Sequence, residues 1–204
     1  MIDHDRLFKE LLSTFFWEFI ELFLPEVLKS VERDSLTFLP EQVFTDVTTG
    51  EKRKVDLLAQ VRFQETEAFF LIHVENQAYV QAEFNRRMFN YFARLHEKYA
   101  LPIYPVALFS FDEPLRSESD TYEIRFPDRK ILEFNFVSIQ LNRLNWRTFL
   151  RQPNPVAAAL MAKMQIAPED RPRVKLECLR MLATLQLDPA RTQLISGFVD
   201  TYLR

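Results

Sequence analysis

A chain of 204 residues, 48% hydrophobic and with only two glycines, can bury one sizeable core and is too apolar for a disordered or low-complexity protein. Its formal net charge of −3 argues against a strong non-specific nucleic-acid binder, although local basic clusters can still hold a phosphate backbone. The one cysteine, Cys178, excludes an internal disulfide. No run of about 18 apolar residues is present to span a bilayer, and the acidic start MIDHDRLFKE is unlike a signal peptide. A cytoplasmic protein without membrane association is therefore expected.

From Asp5 to Phe23, the side chains Phe8, Leu11, Leu12, Phe15, Phe16, Phe19, Leu22 and Phe23 recur at three- and four-residue spacing. This predicts one amphipathic helix ended by Pro25. Residues 36–47 hold β-favouring side chains broken by Pro40, which predicts one or two short strands, most clearly over Val43–Val47. Gly50 supplies a turn before the charged run Glu51, Lys52, Arg53 and Lys54. KVDLLAQVRF and AFFLIHVENQ, separated by the polar QETE, read as a β-hairpin. A helix over Val80–Tyr99, with Phe84, Met88, Tyr91, Phe92 and Leu95 on one stripe, leads to the buried strand IYPVALFSF. TYEIRF and KILEFNFVSI predict a further hairpin that extends the sheet. Beyond Leu141, proline-punctuated helices are expected over Val156–Gln165, Arg173–Gln186 and Ala190–Leu203; Cys178, in LECLRML, takes a buried helical position. The order is helix, three strands, helix, strand: an α/β domain over residues 1–140 followed by a helical extension over 141–204. The twenty phenylalanines, spread through every segment, and Trp17 and Trp146 read as core.

The hairpin carries the chemistry. Opposed residues of an antiparallel pair have numbers with a constant sum, so a turn centred between Glu65 and Thr66 puts Asp56 across from Glu75. Opposed Cβ atoms lie about 4.5 to 5.5 Å apart, where two like charges need neutralising, and a divalent cation would do so. Gln77 projects from the same face as Glu75, because strand side chains alternate. A turn shifted by one residue would separate the acids, and solvent-facing strand ends also carry acids. Oxygen-only ligation of this kind suits Mg²⁺ or Mn²⁺ and implies phosphodiester hydrolysis.

HDRLFKELL with LFLPE, then KVDLL, HVENQ and RMFNY, in this order, resemble the PD-(D/E)XK nuclease superfamily. Within it they are similar, from about Asp3 to Phe111, to the bacterial family of recombination-promoting nucleases and putative transposases. The resemblance implies a restriction-endonuclease-like core and a Mg²⁺- or Mn²⁺-dependent DNA endonuclease linked to recombination or mobile elements. It implies that Asp56 and Glu75 bind the metal and that Gln77 stands where many members place a lysine. Glutamine lacks the lysine's charge and can only position a water or phosphate oxygen. A catalytically weak or inactive nuclease fold that binds nucleic acid or protein is the alternative.

The first helix of such nucleases often adds an acid. Asp5, with Glu10 as second candidate, fits that role or simply favours a helix start, and Lys9 either touches phosphate or lies on a solvated face. Arg87 and Tyr91 match the family's arginine and tyrosine pair; Arg87 clamps a phosphate or rests its stem on the Tyr91 ring. Lys52, Arg53 and Lys54 meet a DNA backbone or form a soluble turn. His73 shares the face of Glu75 but reads as a packed strand histidine, while His4 and His96 read as surface residues. In the tail, Leu176, Leu179, Met181, Leu182, Leu185, Leu194, Ile195 and Phe198 either pack on the domain or form a homodimer interface through the C-terminal helices.

Overall fold

The computed structural model describes residues 4–40, 42–45 and 52–203, without the side chains of Thr45, Lys52 and Arg53. In chain order, α1 (His4–Thr14), α2 (Phe16–Phe23) and α3 (Pro25–Leu28) lead into β1 (Val31–Phe38), β2 (Val43–Thr45) and β3 (Lys52–Lys54). Then come β4 (Leu57–Phe63), β5 (Phe69–Gln77), α4 (Phe84–Tyr99) and β6 (Ile103–Phe109). Next are β7 (Thr121–Arg125), β8 (Lys130–Asn135), β9 (Val137–Gln140), α5 (Pro155–Leu160), α6 (Arg171–Thr184) and α7 (Pro189–Tyr202). The protein is thus a mixed α/β chain. Its contacts form two compact units: Met1–Lys29, Phe109–Ser117 and Gln140–Arg204 make a helical unit, and Ser30–Leu108 with Glu118–Ile139 make a sheet unit.

The helical unit takes its first helices from the N-terminus, so it differs from a simple division at residue 140. The cause is packing: Phe8 meets Phe198 edge-on with ring centroids 5.0 Å apart, and His4 Nδ1 lies 2.7 Å from the Tyr202 hydroxyl. The expected helix over Asp5–Phe23 is two helices. Phe15 leaves the helical region at φ −121°, ψ 44°, just after Ser13 and Thr14, which are weak helix formers. The apolar stripe survives the break, with Phe8, Leu11, Leu12, Phe15, Phe16, Phe19 and Ile20 all buried. Pro25 does not merely end a helix; it opens α3 at the first helical position, where its missing N–H costs nothing. Every residue of α5 is buried. Asn154 caps it, accepting from the N–H groups of Val156 and Ala157 at 2.8 and 3.1 Å, and donates to the Glu18 carbonyl at 2.9 Å. In α6 and α7, Met181, Leu182, Ile195 and Phe198 are buried inside the unit, whereas Leu176 and Leu179 are exposed. Trp146 and Cys178 are fully buried, and Trp17 is half-buried.

In the sheet unit the strand order is β1-β4-β5-β6-β9, so β5 has strands on both sides and is buried along nearly its whole length. The packed core beside it joins Val55, Leu58 and Leu71 to Tyr91 and Leu95 of α4. β1 starts at Val31, earlier than the β-favouring run suggests, because Glu32, Arg33 and Asp34 mask an edge strand that needs only one apolar face. Of the strand expected over Val43–Val47, β2 supplies Val43–Thr45 against β3; Gly50, Glu51 and Val47 lie outside the described residues. α4 begins at Phe84 rather than Val80, after Glu83 in the left-handed region at φ 66°. The later hairpin does not extend the sheet. β7 and β8 form their own two-stranded ribbon, and only β9 joins the main sheet.

Among the described residues, no helix is long and apolar enough to cross a membrane. Asn154→Ala is expected to lower stability by about 1–3 kcal/mol in urea unfolding, since it removes a cap and leaves buried backbone groups unmet. Burial pushes the Cys178 thiol up to about 12. Its alkylation by iodoacetamide at pH 8 should therefore be slower than that of a free thiol by about a thousandfold or more, rising to the ordinary rate when the protein is unfolded.

Candidate functional site

β4 and β5 pair antiparallel from Leu57↔Val74 through Leu58↔His73 to Arg62↔Phe69. The same register, carried one residue further, sets Asp56 opposite Glu75. Their contacts agree: Asp56 donates its N–H to Glu75 Oε2 at 3.4 Å, and Asp56 Oδ2 accepts the N–H of Asn76 at 2.8 Å. Glu75 is 4% exposed and Gln77 2%, while Asp56 is half-buried.

Two unpaired carboxylates could not be held at this depth, so their surroundings must offset the charge. His73, fully buried, brings Nε2 to 3.3 Å from Glu75 Oε2, and it packs edge-on to Tyr91 at 5.7 Å. From α4, Arg87 sets Nη2 3.6 Å from Glu75 Oε1 with only a tenth of its side chain exposed. The same guanidinium donates to the side-chain oxygens of Gln77 and Gln81. Gln77 in turn donates to the Tyr79 carbonyl. Gln77 is therefore a brace for Arg87. The Arg87 guanidinium lies 4.9 Å over the Phe84 ring. The Tyr91 hydroxyl donates to the Lys54 carbonyl at 3.5 Å. Sequence reasoning missed Gln81 as part of this cluster; its signal was the polar segment between strand and helix, which carries no distinctive spacing.

The other expected site residues are placed as follows. Lys54 is exposed beside the acid pair's strand, and Lys52 and Arg53 belong to β3 with side chains outside the described residues. Asp5 is exposed in the first turn of α1 and Lys9 is half-buried on it, both in the helical unit. His4 and His96 are surface residues.

Among the described residues, no group of three or more His, Cys, Asp or Glu side chains is arranged to hold a metal ion. The donor set on offer is two carboxylates, oxygen-only, on directly opposed strand positions. That fits the chemistry of Mg²⁺ or Mn²⁺, which bind through one or two carboxylates and keep several waters.

The fold and this cluster define a mixed α/β protein with an acid pair on neighbouring strands, braced by an arginine from the following helix. The family described as "Putative transposase, YhgA-like" matches residues 2–103, half of the chain, and the protein belongs to that family. No curated protein and no solved structure matches the chain. The matched region contains every residue of the acid cluster.

Replacing Arg87 by methionine removes the guanidinium but keeps the stem. It should destabilise the sheet unit by about 2–4 kcal/mol in thermal or urea unfolding, because Glu75 stays buried with less compensation. A loss under about 0.5 kcal/mol, the range of surface substitutions, would show that Arg87 does not support Glu75.

Proposed function

We propose that this protein is a metal-dependent endonuclease that hydrolyses DNA phosphodiester bonds, built on the PD-(D/E)XK plan and acting in recombination or in the movement of DNA elements. The observation that carries the proposal is the β4–β5 register, which sets Asp56 against Glu75 beside Gln77 and Arg87. Membership of a transposase-described family supports DNA as the substrate.

Asp56 and Glu75 would hold the Mg²⁺ or Mn²⁺. A bound ion of this type acidifies a water and offsets charge on the phosphate. His73 and the Asp56 N–H fix the Glu75 carboxylate in one orientation. Gln77 cannot supply the charge of the lysine it replaces. Arg87 can: its permanent cation stands between Gln77 and Glu75 and is suited to the charge that builds on phosphate oxygens. Lys54, Lys52 and Arg53 precede Asp56 in sequence and would meet the phosphate backbone on either side of the cut.

A second reading rests on the same cluster. Glu75 already has Arg87 and His73 as neighbours, so the acid pair can also be a closed structural network in a fold that binds DNA without cutting it. Plasmid nicking in Mg²⁺ or Mn²⁺ separates the two. Asp56→Ala and Glu75→Gln, each folded by circular dichroism, should lower cleavage about 100-fold or more, and calorimetry should lose the metal-binding heat. Cleavage at the wild-type rate in both variants would falsify the nuclease assignment. Absence of both cleavage and metal binding in the wild type would favour the binding module.

A further inference from the structure

Phe84, Met88, Tyr91 and Leu95 turn inward from α4 and are buried. Another face of the helix is closed by the β7–β8 ribbon: Asn85 donates to the Thr121 carbonyl at 2.8 Å, Phe89 stacks on Tyr122 at 5.4 Å, and Phe92 meets Phe134 at 5.0 Å. Along the opposite margin of the buried face, Arg87, Arg94 and Lys98 follow one another at spacings of seven and four residues. At about 3.6 residues per turn those spacings return to nearly the same direction, so the cations form one stripe about 16 Å long.

Residues 83–99 hold Arg86, Arg87, Arg94 and Lys98 against Glu83 and Glu97, a net of +2 in a chain of net −3. Arg86 pairs with Glu83 at 3.6 Å, and Arg87 faces Glu75 at 3.6 Å. Arg94 and Lys98 have no acid at ion-pair distance among the described residues. Glu97, the acid of α4 itself, lies about 80° around the helix from the stripe. Arg94 is half-buried and its guanidinium stacks 5.4 Å over Phe44, whose ring lies 6.1 Å from Tyr91. Lys98 is exposed and donates to the side-chain oxygen of Gln42, a neutral group. Both charges are therefore held in place without being neutralised, which attracts an anion from outside. A lysine in the last turn also complements the helix dipole, and an arginine stem packs on a ring, but neither effect sets the cations in line with Arg87. The stripe begins at the acid pair, where Arg87 meets Glu75, and all of it belongs to the sheet unit.

We propose that this stripe is the track along which one strand of duplex DNA runs to the acid pair, with Arg94 and Lys98 on its phosphates and Arg87 at the end nearest the cut. Phosphates of one strand advance about 3.4 Å each along the duplex axis, so the stripe spans about five of them. A row of cations complements a row of like charges, which neither a single-phosphate ligand nor an apolar partner supplies. The proposal rests on DNA being the substrate, and it adds the direction of approach and two contacts outside the acid cluster.

The test uses the full chain and a fluorescein-labelled 30-base-pair duplex in EDTA, so that binding is read without cleavage, over a series of salt concentrations. Arg94→Gln with Lys98→Gln, folded by circular dichroism, should lower the slope of log affinity against log salt by about two, close to one for each lost phosphate contact. Arg94→Lys with Lys98→Arg should keep the wild-type slope, because both charges remain. An unchanged slope in the glutamine pair overturns the proposal, as does a wild type that does not bind the duplex. An equal loss of slope in the charge-keeping pair also overturns it and assigns Arg94 to packing on Phe44. Tighter binding of an RNA duplex of the same length, with the same response to the glutamine pair, gives the stripe to RNA instead. These results are independent of the cleavage assay: a glutamine pair with the wild-type slope, while cutting still requires Mg²⁺ and Asp56, overturns the stripe alone. A lowered slope with cleavage indifferent to Asp56→Ala overturns the nuclease reading alone.

Discussion

The pairing register of β4 with β5 is the constraint on which the acid cluster depends. Side chains alternate along a strand, so a slip of one residue would turn Glu75 and Gln77 to the opposite face and bring Asn76 to Asp56. At the observed register Leu58, Ala59, Val61, Leu71, Ile72 and Val74 are all buried, on both faces of the pair. β5 is covered by strands on both flanks, so every residue of it must find either an apolar neighbour or a polar partner. Glu75 and Gln77 find theirs; the side-chain amide of Asn76, buried at 8% exposure, meets no hydrogen-bond partner among the described residues.

An acid this deep in a sheet also shapes the helix that follows. Removing Glu75 from water is unfavourable unless opposite charge and hydrogen bonds replace the solvent. Arg87 answers from α4, and the two glutamines hold its planar fork in place. Arginine suits this position better than lysine because one rigid group can face three acceptors at once. Within the acid pair, Arg87 meets Glu75, at 3.6 Å. The same helix has a second duty on another face, where Asn85, Phe89 and Phe92 hold the β7–β8 ribbon.

Much of this was legible in the residues. The hairpin arithmetic predicted the opposition of Asp56 and Glu75, and the register observed from Leu57↔Val74 to Arg62↔Phe69 has the same constant sum. Of the stripe Phe84, Met88, Tyr91, Phe92 and Leu95, all but the half-buried Phe92 lie on the buried face of α4, and His73 is a buried strand histidine that also reaches Glu75 at 3.3 Å. The misses share a cause. β1 is an edge strand whose polar residues hide its period, and the helix break at Phe15 leaves the apolar spacing intact. The split of KILEFNFVSI at Phe136 also interrupts no hydrophobic pattern. There the Phe136 N–H turns to the Asp120 carbonyl at 3.0 Å, and β8 and β9 go to different sheets.

By itself the sequence determined the local elements, the facing of the two acids and the candidate chemistry of oxygen ligands, because period and turn position act over a few residues. Only the tertiary structure decided that Arg87 pairs with Glu75, that Gln77 braces a guanidinium, and that α1 packs with α7. Those outcomes depend on which surfaces meet once the core closes. Phe8 and Phe198 are 190 positions apart in the chain, and no local spacing records a contact made across that distance.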